Sequence, residues 1–369
     1  MRNLILIGGK LQGFEASYLA KKAGLRVVLV DKKERPLITK VVDEFHCFDV
    51  TKEPERLIEL SRTALAVLPV NENLETVNFL RNIRNELACP MLFDFDSYHI
   101  SMDKKKSKEY FRSIDVPMPL DNPTSPPYFI KPPCESSSIG TYIIYDQSGL
   151  EGLDPSMLIE EYVEGDVVSL EVVGDGERFE VVKETKIHID GTYDCHMVTP
   201  LNNYPEFRNL AYKLAKHLNL KGIMDVEAID SAQGLKVLEI DARFPSQTPT
   251  VVYHSSGVNL IELLLQAFVT GIRENEAIPE KNYCTYEHLL FMDGQLIPVG
   301  EHVLSQGIDY HQFHASEGLE IFECSGERKV FTLISWAPGK EEADLNRQRG
   351  LNMLREYLAI GQEARTWRF

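Results

Sequence analysis

Three apolar runs of strand length, separated by segments of helical periodicity, constrain the fold of the first hundred residues most strongly. The runs are Asn3–Ile7 and residues 26–30 and 64–68, and the helical segments are residues 14–23 and 74–87. Short strands that are apolar throughout are typical of parallel sheets, which helices cover on both faces. The pattern predicts a doubly wound, Rossmann-like α/β domain over residues 1–97.

Beyond residue 97 the pattern changes to strands of alternating polarity mixed with helices. Residues 128–133 form a short predicted strand that ends at two prolines. Strands are also predicted over residues 157–163, 167–173, 179–186, 223–229 and 235–240, and helices over residues 207–218 and 259–270. We therefore predict α+β subdomains over residues 98–283 and a small C-terminal α+β part over residues 284–369.

The charge balance limits the kinds of partner. The chain has 56 acidic and 39 basic side chains, a formal net charge of −17, which disfavours binding to nucleic acid or to anionic membranes. It has no apolar stretch of about 18 residues, as a membrane helix needs, and its start lacks a secretory signal. Its six cysteines include no CxxC pair, which favours reduced thiols. We expect a cytoplasmic protein with small-molecule partners, while the oligomeric state stays open.

A glycine-containing turn, Gly8-Gly9-Lys10-Leu11-Gln12-Gly13, joins the first predicted strand to the first helix. Backbone amides at a helix N-terminus can bind an anion. Together with Asp31 at the end of the second strand, the turn could bind a dinucleotide, as in a dehydrogenase, although it departs from GxGxxG. The alternatives are a turn that only connects two elements, and a site for the carboxylate of a substrate.

Two lysines, Lys104 and Lys131, belong to separate predicted elements, and we expect Ser101 to cap the helix that carries the first. A triphosphate needs positive charge on two sides, and the strip 136–140, rich in Ser and Gly, could cover it as a lid. Residues 159–163 form an extended segment whose backbone could bind the edge of adenine. The structural alternatives are a solvated helix face and an ordinary loop.

Acidic residues alternate on a predicted pair of strands. Glu239 and Asp241 are two residues apart, so both carboxylates project from one face of their strand. Glu227 lies on the preceding strand of the hairpin and could lie opposite them, and Arg243 continues the same face. Mg²⁺ prefers carboxylates together with substrate phosphates, and we predict a site for two such ions. The alternative is a sheet face that contacts solvent.

In order and spacing, these motifs resemble the ATP-grasp superfamily. The motifs are Lys104, Ile130-Lys131-Pro132, residues 159–165, Asp225-Val226-Glu227 and Glu239-Ile240-Asp241-Ala242-Arg243. The resemblance covers the whole chain and implies a pre-grasp domain, two grasp subdomains and a small C-terminal part. It also implies a ligase that uses ATP and Mg²⁺ to convert a carboxylate into an acyl phosphate, which an amine then attacks. Asp241 replaces the Asn of the family pattern, and Val167 replaces an acidic residue.

Residues 8–16 and 239–250 more closely resemble the ligases of pyrrolysine biosynthesis. Members of that family join the carboxylate of (3R)-3-methyl-D-ornithine, or of D-ornithine, to the side-chain amine of L-lysine. Three alternatives remain. They are another ATP-grasp ligase, either D-alanine–D-alanine-like or biotin-carboxylase-like; a dehydrogenase; and a nucleotide sensor without catalysis.

The motifs and the resemblance together imply the site residues. The catalytic cations are Lys104, Lys131 and Arg243, and the metal ligands are Glu227, Glu239 and Asp241. The implied ATP ligands are Lys10, Asp31, Asp49, Val50, Lys104, Lys131, Ser138, Glu160, Glu161, Tyr162 and Val163. The implied ornithine ligands are Ser169, Leu170, Glu171, Asp225, Ser246, Gln247, Thr248, Pro249, Thr250 and Val251. The implied lysine ligands are Leu11, Gln12 and Glu72, with His302 and Asp309 as further candidates. Glu72 could instead be an acid in the first turn of a helix.

Overall fold

The computed structural model describes residues 2–134, 139–273, 278–307, 309–326 and 328–366 of the chain. Its strands form a four-stranded sheet, a ten-stranded sheet and a three-stranded sheet. Helices pack against these sheets, and the predicted mixed α/β architecture is confirmed. Within the described ranges, no helix has both the length and the apolar composition that a membrane span requires.

A parallel sheet forms the N-terminal part of the fold. Its elements are β1 (Asn3–Ile7), α1 (Leu11–Lys22), β2 (Arg26–Asp31), β3 (Glu44–Cys47), α2 (Pro54–Ser61), β4 (Ala64–Pro69), α3 (Leu74–Ile83) and the 3-10 helix Arg84–Glu86. The strands are parallel in the order β3-β2-β1-β4. The three predicted strands and two predicted helices are confirmed. The sequence analysis did not predict β3 and α2, which are short and largely half-exposed or exposed.

Two short helices, α4 (Phe95–Ser101) and α5 (Lys104–Ser113), follow the parallel sheet. The expectation that Ser101 caps the second of them is wrong, because Ser101 is the last residue of α4. Asp103 is the cap, since its carboxylate accepts a hydrogen bond from the Lys105 amide at 3.0 Å. The Ser101 hydroxyl instead accepts a hydrogen bond from the Ala242 amide at 3.1 Å, which holds α4 next to the predicted metal ligands.

A small antiparallel sheet carries Lys131. Its elements are β5 (Tyr128–Lys131), β6 (Tyr142–Ile144), the 3-10 helix Gln147–Leu150 and β7 (Leu158–Glu161). The strand order is β6-β5-β7, and Phe129 lies opposite Glu160. The pairing therefore puts the first predicted adenine-binding residues on the strand beside Lys131. Ser138 lies outside the described residues, and so does most of the predicted lid over residues 136–140.

The ten-stranded sheet spans the rest of the chain. Its elements and the helices around it are β8 (Gly165–Asp175), β9 (Phe179–Ile189), β10 (Cys195–Pro200), α6 (Pro205–Leu218), β11 (Lys221–Ser231), β12 (Gly234–Asp241), α7 (Thr248–Ser256), α8 (Leu260–Val269), β13 (Tyr283–Met292), β14 (Gln295–Pro298), the 3-10 helix Glu301–Gln306, β15 (Asp309–Ser316), β16 (Leu319–Ser325), β17 (Lys329–Ala337) and α9 (Lys340–Thr366). The order is β12-β11-β8-β9-β10-β13-β17-β16-β15, with β14 beside β13.

The predicted domain boundary at residue 284 falls within β13. This strand pairs with β10 on one side and with β17 on the other. The two regions that the sequence separates therefore share one continuous sheet.

The segment 246–251, which contains six of the implied ornithine ligands, is helical from Thr248 onward. Gln247 has a φ of +65°, and α7 begins directly after it with a proline in the first turn, where the fixed φ of proline suits a helix. Nearly all residues of α7 are buried. A helix that is buried on every side lacks an amphipathic pattern, which is why the sequence did not predict it.

A shared hydrophobic core joins the N-terminal domain to the large sheet. Phe14 of α1 packs edge-on against Tyr310 and Phe322, with ring centroids 4.7 and 4.8 Å away. A hydrogen bond of 2.8 Å joins the Tyr18 hydroxyl of the same helix to Nε2 of His254 in α7. These contacts fix the N-terminal domain relative to the strands that carry the predicted site.

Candidate active site

Three neighbouring strands, β8, β11 and β12, carry a ladder of polar side chains. One rung of the ladder consists of Ser169, Glu227 and Glu239, and the next consists of Glu171, Asp225 and Asp241. Because side chains two residues apart share one face of a strand, the two rungs lie on the same face of the sheet. The predicted hairpin is present, and Glu227 lies directly opposite Glu239.

Two basic side chains contact this ladder. Lys104 Nζ lies 2.9 Å from Glu239 Oε2. Arg243 Nη2 lies 2.9 Å from Asp241 Oδ2 and 2.6 Å from Glu72 Oε1. The structure therefore brings the predicted catalytic cations Lys104 and Arg243 to the predicted metal ligands. Glu72, which the sequence analysis assigned to the lysine site, also contacts Arg243.

The carboxylates of the ladder differ in their tendency to ionise. Burial, together with the nearby Glu239 and Asp241, raises the pKa of Glu227 to about 8. Burial raises the pKa of Asp241 to about 6 despite the contact with Arg243. Desolvation also opposes ionisation of Glu239, but Lys104 and Lys131 outweigh it and lower the pKa of this carboxyl. The ladder thus contains more carboxyl groups than the neighbouring cations neutralise.

This shortage of positive charge fits the donor set of a hard divalent cation. Asp225 is buried, its pKa is raised well above the ordinary value by burial, and its Oδ1 has no hydrogen-bond partner among the described residues. Within the same described part of the chain, no three His, Cys, Asp or Glu side chains form a ready-made metal cage. Mg²⁺ is usually held by one or two carboxylates together with substrate phosphates. The residues present therefore fit an ion that arrives with a nucleotide.

A buried ion cluster supports Lys131. Glu160 is only 1% exposed, and its two carboxylate oxygens lie 3.0 Å from Lys131 Nζ and 2.9 Å from Lys108 Nζ. Asp121 Oδ1 also lies 2.5 Å from the Lys108 ammonium. The Glu160 carboxylate therefore positions the ammonium groups of Lys108 and Lys131. Lys108 was not predicted, although its position one helical turn after Lys104 was a usable signal.

A cleft of about 340 Å³ runs along the ladder. Its polar end contains Lys104, Glu227, Glu239, Asp241 and Arg243, and its other end contains apolar side chains from β8, β9, β11 and β12 and from the residues after β7. Tyr162 and Val163 line that apolar end. The cleft therefore offers charges for a polyphosphate at one end and an apolar surface for a planar ring at the other.

A second cavity of about 350 Å³ lies at the N-terminal domain. Four predicted ATP ligands line it, namely Lys10, Asp31, Asp49 and Val50. The Gly9 amide at its edge donates a hydrogen bond to Asp31 Oδ2 at 2.8 Å. Lys104 and residues 160–163, which are also predicted ATP ligands, line the cleft instead. The predicted ATP ligands are therefore divided between two cavities. Glu72 and Glu301 line both cavities.

The predicted ornithine ligands divide between the cleft and the interior. Asp225, Ser246, Gln247 and Thr248 line the cleft. Glu171 is fully buried, neither of its carboxylate oxygens has a hydrogen-bond partner among the described residues, and burial raises its pKa to about 7.

Other members of this set have structural contacts. The side chains of Leu170 and Val251 are fully buried in the hydrophobic core. Thr250 donates hydrogen bonds to Glu15 Oε2 from its amide at 3.1 Å and from its hydroxyl at 2.5 Å. Pro249 is buried in the first turn of α7. The side chains of these residues support the site rather than line its cleft.

The predicted lysine ligands gather at the second cavity, with one exception. Leu11, Gln12, Glu72 and His302 line it, and Gln12 Nε2 donates a hydrogen bond to Glu72 Oε1 at 2.9 Å. Asp309 instead pairs with Lys40 at 2.9 Å and lines neither cavity.

Glu72 is not in the first turn of a helix. Asn73 is the cap of α3, and Glu75 is the acid of its first turn. The position of Glu72, between Gln12 and Arg243, therefore favours its function at the two cavities over the alternative.

Two further residues were not predicted because their contacts are distant in sequence. Burial raises the pKa of Glu15 in α1 to about 7, and this carboxyl accepts both hydrogen bonds of Thr250. Glu301 accepts hydrogen bonds from the Ser246 hydroxyl at 2.7 Å and from Gln247 Nε2 at 3.3 Å. No local pattern in the sequence distinguishes these two acids from the many on the surface.

The sheet topology and the ladder of carboxylates beside paired lysines define the class of the protein. A family profile described as an ATP-grasp domain matches residues 101–247. The biotin carboxylase domain of Hydrogenobacter thermophilus 2-oxoglutarate carboxylase, whose crystal structure contains MgADP, ADP and bicarbonate, has a similar fold. The TM-score is 0.70 at 18% identity, over 94% of this chain and 89% of that one. The fold is the ATP-grasp fold.

Much closer similarity exists to ligases from Methanosarcina species. The 3-methyl-D-ornithine–L-lysine ligase of Methanosarcina barkeri is 63% identical over 357 residues, which are 96% of this chain and 98% of that protein. The ligase of the same name from Methanosarcina acetivorans is 61% identical over the same shares of both chains. The chain belongs to the family of the 3-methyl-D-ornithine–L-lysine ligases.

Proposed function

We propose that this protein uses ATP to activate the carboxylate of (3R)-3-methyl-D-ornithine, or of D-ornithine, and joins it to the side-chain amine of L-lysine. One structural observation carries the proposal. The carboxylate ladder of β8, β11 and β12 meets Lys104 and Arg243 at one end of a cleft and continues to Glu171, which is buried without a cation in salt-bridge contact among the described residues. The site thus combines positive charge for phosphates with spare acids for a substrate that carries two ammonium groups.

The nucleotide binds along the cleft between the two grasp subdomains. The amides of Glu161 and Tyr162 already donate hydrogen bonds to the carbonyls of Leu120 at 2.9 Å and Pro127 at 3.3 Å. The edge of adenine is therefore bound by the Val163 amide and by carbonyl groups of this segment, while the apolar end of the cleft encloses the ring. Lys104 and Lys131 bind the phosphates from two sides.

Glu227, Glu239 and Asp241 would hold two Mg²⁺ ions together with the phosphates. Bound Mg²⁺ supplies positive charge that offsets the charge of the triphosphate. Side chains of the protein orient the reacting groups and stabilise the transferred phosphoryl group. Lys104, Lys131 and Arg243 orient the γ-phosphate so that the donor carboxylate attacks in line, and they stabilise the charge on its oxygens during transfer.

The donor amino acid binds beyond the metal ligands, at Glu171, Asp225 and Thr248. Among the described residues no cation lies within salt-bridge distance of Glu171 or Asp225, so both buried carboxyl groups are costly to ionise. The ammonium groups of a diamino acid would neutralise them, and the Thr248 hydroxyl, whose oxygen is buried without a hydrogen-bond partner among the described residues, could donate to the donor carboxylate. Monoamino acids would leave one of the acids without a cation, which disfavours a D-alanine–D-alanine-like substrate.

The raised pKa of Glu171 predicts that donor binding depends on pH. The ammonium of the donor binds the ionised carboxylate, which becomes the major form only above a pKa of about 7. Between pH 6 and pH 8 the ionised fraction rises about ten-fold, and the affinity for D-ornithine should rise with it. Calorimetric titration of the protein with D-ornithine, in the presence of a non-hydrolysable ATP analogue, measures this. In Glu171→Gln the affinity should be weak at both pH values, and an unchanged pH dependence in that variant would contradict the assignment.

L-Lysine binds in the second cavity, with its amino-acid end at Leu11, Gln12 and Glu72 and its side chain directed to the cleft. Glu72→Ala should raise the KM for lysine about ten-fold or more, because a hydrogen bond to a charged group contributes about 1.5–3 kcal/mol. The KM for the donor should change less than about two-fold. Steady-state kinetics with each substrate varied in turn measures both constants.

The matched control for Glu72 is Glu75, the exposed acid of the first turn of α3. Glu75→Ala should leave both KM values unchanged. A parallel rise of both constants in Glu72→Ala, or no rise of either, would remove Glu72 from the lysine site.

Product identification tests the function as a whole. The purified protein, incubated with ATP, Mg²⁺, D-ornithine and L-lysine, should form ADP and an amide with the mass of the two amino acids less one water. A panel of other amino acids and bicarbonate tests the D-alanine–D-alanine-like and biotin-carboxylase-like alternatives. ADP formation that depends on D-alanine or bicarbonate, and not on D-ornithine, would refute the proposal.

A further inference from the structure

The N-terminus of α7 is capped by a residue of another helix. Gln247 stands at the capping position, but its side chain forms no capping hydrogen bond. The Glu15 carboxylate of α1 instead accepts hydrogen bonds from the amide and the hydroxyl of Thr250, at 3.1 and 2.5 Å. Amides in the first turn of a helix have no partner within the helix, and a carboxylate at this end is stabilising. Glu15 therefore replaces the local cap.

The capped end of α7 is a strained part of the predicted donor site. Gln247 has a φ of +65°, which residues other than glycine seldom adopt. Its side-chain amide donates a hydrogen bond to the Cys195 carbonyl at 3.2 Å. A strained conformation persists only where surrounding contacts hold it. Loss of the cap would therefore let this segment relax and would displace Thr248, which lines the cleft.

The helix that supplies the cap also carries part of the predicted acceptor site. Leu11 and Gln12 are the first two residues of α1, and both line the second cavity. Residues three and four apart are neighbours on a helix surface, so Glu15 lies one turn beyond them on the same side. Glu15 is fully buried, and water cannot replace its hydrogen bonds. One helix thus contributes to the acceptor site and holds the start of the donor-site helix.

The relative position of the two sites decides the fate of an acyl phosphate. Amide formation needs the acceptor nitrogen about 3–3.5 Å from the acyl carbon of the donor. If the nitrogen is misplaced, water attacks that carbon instead. The C–O bond to phosphate then breaks, phosphate leaves with the electron pair, and the donor carboxylate forms again as the water gives up its protons. ATP is consumed in this case without formation of an amide.

We infer that Glu15 is a positioning residue that holds the donor site in place relative to the acceptor site, and thereby couples ATP cleavage to amide formation. This inference rests on the proposed function. Glu15 lines neither cavity, so it acts through Thr250 and the first turn of α7 rather than by contact with a substrate.

The amount of ADP released per amide formed tests this coupling, because the ratio does not depend on how much of a variant is folded. With D-ornithine and lysine, the wild type should release about one ADP per amide, since a closed site protects the acyl phosphate from water. In Glu15→Ala the ratio should rise about five-fold or more, because a misplacement of about 1 Å can slow an aligned reaction about 100-fold. The KM for ATP should stay within about two-fold of the wild-type value.

Two further variants address the same contact. Thr250→Val keeps the shape of the side chain and the amide but removes the hydroxyl that donates to Glu15. Its ratio should rise about three-fold or more, and this variant decides the question if Glu15→Ala does not fold. Glu15→Gln keeps an oxygen that can accept from Thr250, so its ratio should stay within about two-fold of the wild type.

The matched control is Tyr18→Phe, which removes a hydrogen bond between the same two helices at the far end of α7. The Tyr18 hydroxyl lies 2.8 Å from Nε2 of His254, in the last turn of that helix, and the ratio in this variant should equal that of the wild type. A rise in Tyr18→Phe as large as in Glu15→Ala would overturn the inference, because it would assign the effect to helix packing in general. Wild-type ratios in both Glu15→Ala and Thr250→Val, or a ratio in Glu15→Gln as high as in Glu15→Ala, would also overturn it. A wild-type protein that forms no amide would instead refute the proposed function.

Discussion

Replacing Glu239 with Gln is expected to reduce amine-dependent ADP formation by more than about 100-fold, since even groups behind metal ligands contribute about 10- to 100-fold. Glu239 stands opposite Glu227 and 2.9 Å from Lys104. Its neutral isostere keeps the shape of the site and a hydrogen-bond acceptor for Lys104, but it is a poor ligand for Mg²⁺. ADP release at a fixed Mg²⁺ concentration, with D-ornithine and lysine present, measures the loss.

The same hairpin provides a control for Glu239. Asp230 lies on β11, away from the cleft, where it is exposed and accepts a hydrogen bond from the Tyr204 hydroxyl at 2.8 Å. Asp230→Asn should keep the activity of the wild type. Both variants should keep the circular dichroism spectrum of the folded protein. A Glu239→Gln variant with wild-type turnover at ordinary Mg²⁺ would exclude Glu239 as a metal ligand.

Glu160→Ala is expected to lower the free energy of unfolding by about 3–5 kcal/mol, the usual cost when one member of a buried ion pair is removed. Lys108 and Lys131 are 4% and 5% exposed, and Glu160 is the acid that joins them. Without it, Lys131 loses the only acid within salt-bridge distance of its ammonium among the described residues. Urea unfolding measures the free energy, and the KM for ATP should rise as well.

Glu161 is the matched control, because it is the next residue on β7. It pairs with Lys236 at 2.7 Å, but both side chains are partly exposed, and pairs of this kind contribute about 1 kcal/mol or less. Glu161→Ala should therefore cost far less stability than Glu160→Ala. Equal losses in the two variants would mean that the buried cluster does not stabilise the fold.

The sequence predicted those parts of the site that local spacing determines. Glu239 and Asp241 share a face because strands alternate with a period of two, and a short hairpin necessarily brings Glu227 near them. The parallel strands of the N-terminal domain were predictable for a similar reason, because side chains buried on both faces produce continuous apolar runs.

Features that depend on distant contacts were not predictable. Lys108 acquires its importance from Glu160 on β7, and Glu301 from Ser246, which is 55 positions away. The assignment of the cap to Ser101 failed because Ser101 ends the preceding helix α4, where its hydroxyl accepts a hydrogen bond from the distant Ala242 amide. Local sequence propensity carries no information on such distant partners. The sequence analysis also missed α7, because nearly all of its residues are buried and the helix has no amphipathic pattern.

The continuity of the ten-stranded sheet has a consequence for protein engineering. Because β13 is hydrogen-bonded to both β10 and β17, a chain that ends near residue 283 would leave the backbone groups of β10 unpaired along one side. Exposed strand edges of this kind recruit other chains and promote aggregation. The last 86 residues therefore cannot be exchanged as an independent domain. Chimeras between relatives should be joined outside this sheet, for example in the loop between the parallel sheet and α4.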